Sequence, residues 1–258
     1  MKLTHLSALT GLVAGGCLAL SSSPAQAFSF TTNYTAEAGS RGNIWLNSVT
    51  LGDGSTVSDF SLVKRANLIA NDTYTGGNTG AASSDRGDEA SGVQLEAATS
   101  ASIASSLGNL NLNNIIDTED TGSFVMDLFF ESAVDTLFFW ERGMNSKLAV
   151  QAIDAAGNLL GSSLLIDSAT WAKAGFNINT TEIGDKQAVG SLGLNLADLG
   201  LSGSFAGVRL VSQSSFNGPD FKVVGAATES VPEPATLAGL GLIGGGLVLS
   251  RRRKAKQA

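Results

Sequence analysis

Two groups of acidic side chains carry the clearest ligand chemistry in this chain. Asp85, Asp88 and Glu89 stand within five positions, and Asp117, Glu119 and Asp120 within four. Oxygen-only sets of this kind suit calcium, which takes six to eight oxygens and needs neither nitrogen nor sulfur. Neither group has the alternating Asp/Asn spacing, closed by a glycine, of a calcium-binding loop. Solvated acidic loops are therefore the expectation, with Asp85, Asp88 and Glu89 as the calcium candidates. Four more carboxylates, Asp127, Glu131, Asp135 and Glu141, lie in an aromatic-rich stretch. Two carboxylates at a set separation suffice for glycoside hydrolysis. Alternate residues of a strand point to opposite faces, however, so acids between aromatics predict an outward face and no catalytic residue.

The chain has one histidine, His5, and one cysteine, Cys17, both within its first 27 residues. Residues 28–230 hold 10 basic and 22 acidic side chains, a net charge of −12, and neither of those two residue types. This removes Ser-His-Asp and Cys-His catalysis, ordinary zinc sites and a disulfide framework from that segment. Such a polyanion is also repelled by nucleic acid. The expectation is a non-enzymatic body with no cofactor beyond the calcium candidate.

A sugar-binding surface needs exposed aromatic rings, and the candidates are Trp45, Trp171, Tyr34 and Tyr74. Tyr74 lies in a Gly-rich loop and Trp171 in a polar stretch between predicted strands, so these two are the expected glycan contacts. Exopolysaccharide is the corresponding partner, in a calcium-dependent carbohydrate-binding module. Trp140 follows Leu137-Phe138-Phe139 and is expected in the core.

These residues must be positioned by short strands. Residues 43–51 and 59–69 read as strands, with Gly52-Asp53-Gly54 as a turn. Residues 71–92 form a long polar loop, and residues 97–107 are the best helix candidate, weakened by serines. The densest apolar signal, residues 123–142, predicts two paired central strands with Phe124, Met126, Leu128 and Phe130 on one face. Residues 147–153 and 159–166 flank Asp154-Ala155-Ala156-Gly157-Asn158, a hairpin loop. Further strands are expected at 190–196, 205–212 and 221–224. The pattern indicates an all-β chain with a single β-sandwich domain, jelly-roll-like, of unspecified strand order.

Both ends of the chain read as processing segments. Met1-Lys2, an apolar run from Leu6 to Leu20, and Ala25-Gln26-Ala27 make residues 1–27 a secretory signal peptide, cut between Ala27 and Phe28. Ala14-Gly15-Gly16-Cys17 offers a lipoprotein-type alternative, but without the usual leucine and leaving Ala25-Gln26-Ala27 unused. Residues 28–230 are then the extracytoplasmic sandwich. Residues 231–258 hold Val231-Pro232-Glu233-Pro234, an apolar helix at 235–250 and a basic tail at 251–258. Sixteen helical residues rise about 24 Å against a bilayer core of about 30 Å, a marginal span suited to a temporary anchor. The arginines beyond it stay cytoplasmic and leave the body outside.

In its order of motif, span and basic end, this tail resembles the PEP-CTERM sorting signal, the bacterial element read by an exosortase, with Pro232, Glu233 and Pro234 matching the motif. The resemblance implies export through the inner membrane, transient anchoring, and processing by that membrane enzyme to the surface or extracellular matrix. Residues 30–83 also resemble a family of exosortase-dependent surface proteins with an uncharacterised body, which implies no activity.

Overall fold

The computed structural model describes residues 27–38, 42–73, 80–84, 98–179 and 186–227. In chain order they form β1 (Thr31–Ala36), β2 (Ile44–Thr50), β3 (Thr56–Val57), β4 (Val63–Asn71) and β5 (Ala82–Ser84), then α1 (Ser100–Leu107). There follow β6 (Ile115–Asp117), β7 (Phe124–Val134), β8 (Thr136–Arg142), β9 (Leu148–Ile153) and β10 (Leu159–Ile166). The last strands are β11 (Ala172–Asn179), β12 (Lys186–Asn195), β13 (Phe205–Ser212) and β14 (Phe221–Ala226).

The strands build a β-sandwich with a third layer. A five-stranded sheet ordered β10-β9-β13-β7-β4 faces a six-stranded sheet ordered β11-β12-β8-β14-β6-β5, and β1-β2-β3 form a small sheet of their own. The pairings are antiparallel. Phe124, Met126, Leu128 and Phe130 of β7 meet Leu137 and Phe139 of β8 in the core between the two large sheets. A second core, with Phe30, Ile44 and Leu46, lies between the small sheet and the outer face of the six-stranded one, where Phe138 and Trp140 project.

This third layer explains β8. Its sequence, TLFFWER, is buried throughout because both of its faces are covered, so it reads as a continuous apolar run instead of an alternating one. It also overturns two expectations. β7 and β8 are not partners: they are separated by Asp135 and lie in opposite sheets, β7 between β13 and β4, β8 between β12 and β14. Nor do the acids on them all face solvent, since Asp127 and Glu141 are buried while Glu131 is exposed.

Local signals held where hydrogen bonding is short-range. In the β9–β10 hairpin, Asp154 accepts from the backbone N–H groups of Ala156 and Asn158, and Gly157 takes φ +88° in the turn. Helix α1 starts later than expected, behind an N-cap at Thr99. Thr99 Oγ1 accepts from Ser102 N at 3.0 Å and Ser102 Oγ accepts from Thr99 N at 2.9 Å, which offsets the low helix propensity of its serines.

Candidate functional site

The acidic group at Asp117 forms an ionic knot where β6, β8 and β14 meet. Arg142, at the end of β8, donates from Nε and Nη2 to Asp220 Oδ2 at 3.1 and 2.8 Å, and Nη2 lies 3.2 Å from Asp117 Oδ2. Thr118 N donates to Asp220 Oδ1 at 2.9 Å. Burial pushes the Asp220 carboxyl above the usual carboxylate range, against the attraction of Arg142 and a hydrogen bond with Asp117.

A guanidinium therefore stands where a cation would be sought. Glu119 is only half-buried and Asp120 is exposed. Among the described residues no group of three or more His, Cys, Asp or Glu is placed to hold a metal ion. The second acidic group is thus partnered by Arg142 at Asp117 and open to solvent at Asp120. Asp85, Asp88 and Glu89 lie outside the described residues.

Glu141, the neighbour of Arg142, is buried on the core side of β8. Ser146 Oγ donates to its Oε1 at 2.7 Å and Met144 N to its Oε2. Burial pushes its carboxyl up to about 8, aided by the charge of Asp220 and opposed chiefly by the Ser146 hydrogen bond. Asp127, in the other large sheet, is held by Arg209 through two parallel bonds of 2.7 and 2.9 Å. The carboxylates of the aromatic-rich stretch are thus distributed over two sheets.

The aromatic candidates fall on different sides of the burial boundary. Trp171 is 6% exposed, donates from Nε1 to Ser146 O at 3.0 Å, and packs over Gly190, where an added Cβ would lie 2.7 Å from the Trp171 Cβ. Its expected role as a glycan contact is corrected: the polar stretch around it leads directly into β11, whose pairing with β12 draws the ring into the core. Tyr74 lies outside the described residues. Trp140 is in the core, as expected, with Nε1 donating to Thr32 Oγ1 at 2.9 Å.

Tyr34 on β1 and Trp45 on β2 are exposed by 36% and 39%. Trp45 Nε1 donates to Glu37 Oε1 at 3.0 Å, and Asn43 Nδ2 to Glu37 Oε2 at 2.8 Å. Tyr34 stands at the mouth of a cleft of about 310 Å³ between β1 and β11, lined also by Glu37, Asn113, Phe176, Asn179 and Lys186. Its ring centroid is 5.1 Å from that of Phe176, and its hydroxyl donates to Gly175 O at 3.3 Å. Asn113 was not anticipated from sequence, because only the tertiary fold places it beside β1 and β11.

The family model of the PEP-CTERM protein-sorting motif matches residues 230–254. The chain carries a PEP-CTERM sorting signal. That match spans about a tenth of the chain and includes Val231, Pro232, Glu233 and Pro234. No curated protein and no solved structure matches the chain. A PEP-CTERM signal marks an exosortase substrate: the protein is exported, held for a time in the membrane, and ends at the cell surface or outside.

The PEP-CTERM motif and the apolar segment at 235–250 lie outside the described residues, as does Ala25. Among the described residues no helix is long and apolar enough to cross a membrane. Ala27 and Phe28 are described. Ala27 is half-buried against the main core, and Phe28 bridges to Gly193 in β12.

Proposed function

We propose that this exosortase substrate is a non-enzymatic surface or extracellular-matrix protein whose β-sandwich is displayed after both ends are removed. The PEP-CTERM match at residues 230–254 carries the reading. On this account residues 1–27 are a signal peptide, 28–230 the extracytoplasmic domain and 231–258 the sorting signal, with the anchor at 235–250 and the basic tail at 251–258. The docking of Phe28 against Gly193 supports a mature chain that begins at Phe28. Membership in the family of uncharacterised exosortase-dependent surface proteins belongs to the same proposal. The test is to replace Pro232, Glu233 and Pro234 with alanine in the producing cell. The altered protein is expected to accumulate in the membrane fraction while the parent leaves it; equal release of both would contradict the reading.

A second reading is a calcium-dependent carbohydrate-binding module acting on exopolysaccharide, and the exposed ring of Tyr34 at the cleft favours its saccharide half. Its calcium half rests on Asp85, Asp88 and Glu89. Calcium at millimolar concentration should then raise the melting temperature, and the rise should vanish when Asp85 and Asp88 are both replaced by alanine.

A further inference from the structure

The cleft between β1 and β11 has a floor and a wall of complementary chemistry. On the floor, Asn113 is 1% exposed, its Nδ2 donates to Gly42 O at 2.9 Å, and its Oδ1 has no partner among the described residues. The bond to Gly42 fixes the orientation of the amide, so the group left over is an acceptor. A buried acceptor without a donor costs free energy until one arrives. On the wall, the Tyr34 and Phe176 rings present an aromatic surface supported from behind.

These groups select the ligand. A fatty ligand would strip water from Asn179 and leave the Asn113 acceptor without a donor. Glu37 and Lys186 carry opposite charges in the lining, so the cleft offers no net charge to draw an ion of either sign. A neutral saccharide offers hydroxyl donors along its edge and an apolar C–H face for the ring. The volume, about 310 Å³, is at the lower end of the range for small-ligand clefts, about 300–1,000 Å³, and suits a short saccharide.

An extended peptide is the competing occupant, because β1 and β11 are both edge strands. Strand addition needs a regular row of free N–H and C=O groups. Both rows are broken: β1 shifts register between Asn33 and Tyr34, and β11 between Lys173 and Asn177, with Gly175 at φ +89°. The backbone at the cleft is therefore a poor template.

We propose that this cleft binds a short neutral oligosaccharide, with Tyr34 stacking on a sugar face and Asn113 Oδ1 accepting from a sugar hydroxyl. This deepens the saccharide half of the second reading and needs neither calcium nor an intact tail. The test titrates protein isolated from producing cells, in buffer containing a calcium chelator, with neutral oligosaccharides of glucose, xylose, mannose and galactose. Calorimetry and saturation-transfer NMR read the binding. At least one oligosaccharide is expected to bind. Tyr34→Ala should weaken it roughly tenfold, the scale of a lost aromatic contact, and Asn113→Ala should weaken it comparably at an unchanged binding stoichiometry. Trp45→Ala should change it by no more than about twofold. Should Asn113→Ala fail to fold, the Tyr34 and Trp45 variants decide, since both side chains are exposed. The proposal is overturned if no oligosaccharide binds, if binding appears only with calcium, if it survives Tyr34→Ala but not Trp45→Ala, or if extended peptides bind in place of saccharides.

Discussion

Phe28 and Gly193 exchange two backbone hydrogen bonds, from Phe28 N to Gly193 O at 3.0 Å and from Gly193 N to Phe28 O at 2.9 Å. The Phe28 ring covers Gly193 so closely that an added Cβ would lie 2.3 Å from its Cε2 and Cζ atoms. That ring also meets Phe138 edge-on, at 6.0 Å between centroids. The residue expected to begin the mature chain is thus part of the sandwich.

Gly193→Ala must push the ring out of place, at about 1–3 kcal/mol for overpacking. Phe28→Ala removes the obstacle, so Gly193→Ala made in that background should be close to neutral. Denaturant unfolding of the four proteins in this double-mutant cycle checks it. Additive effects would mean that the ring does not occupy this position.

Arg142 balances Asp117 and Asp220 in a buried setting. Arg142→Met leaves the two carboxyls without their cation, and a destabilisation of about 3–5 kcal/mol is expected at neutral pH. The loss should shrink toward pH 4, because protonation removes the uncompensated charge. Thermal melts of parent and variant across pH provide the comparison; a loss that is constant with pH would refute the charge-balance role.

Glu141 gives stability a pH dependence of definite sign. Its carboxyl rises from about 4.5 to about 8 on folding, so the folded state holds a proton that the unfolded state releases. The contribution is complete below about pH 4.5 and is lost progressively as pH rises to about 8, amounting to a few kcal/mol. Glu141→Gln removes this dependence while leaving an oxygen for Ser146 and Met144. The difference in melting temperature between parent and variant should therefore change steadily across this window, in favour of the variant at high pH. A pH-independent difference would contradict the buried, protonated acid.

Lys222 acts with the opposite sign. It is fully buried, donates from Nζ to Ser106 O at 2.8 Å and Asn109 Oδ1 at 3.2 Å, and burial pushes its ammonium well below the usual lysine range. The stability tied to the neutral amine is present above the ordinary lysine value, about 10.4, and is lost as pH falls through the lowered one. Lys222→Met should gain on the parent as pH is lowered from 10 to 6, read by chemical unfolding at several pH values. A gain in the other direction would show that the amine is charged in the folded protein.

What the residues disclosed and what they withheld follow from the range of the interactions. The Asp154–Asn158 hairpin and the apolar face of Phe124, Met126, Leu128 and Phe130 depend on neighbours a few positions away, and both were legible. The opposite placement of β7 and β8 was not, because Asp135 separates two apolar runs in the same way whether they pair or cross between layers. Likewise, no local pattern tells that β1-β2-β3 covers Trp140, or that β11 carries Trp171 inward. Tyr34 was one of four plausible aromatic residues, whereas Asn113 became visible only through a contact with Gly42, 71 positions away.

The most direct test of the central claim is the intact mass of the protein recovered from producing cells with an active exosortase and from cells lacking it. With the enzyme, the chain is expected to begin at Phe28 and to end near Pro232–Pro234, without the basic residues 251–258; without the enzyme, those residues should remain. Identical masses in both strains, with residues 251–258 retained, would contradict the account.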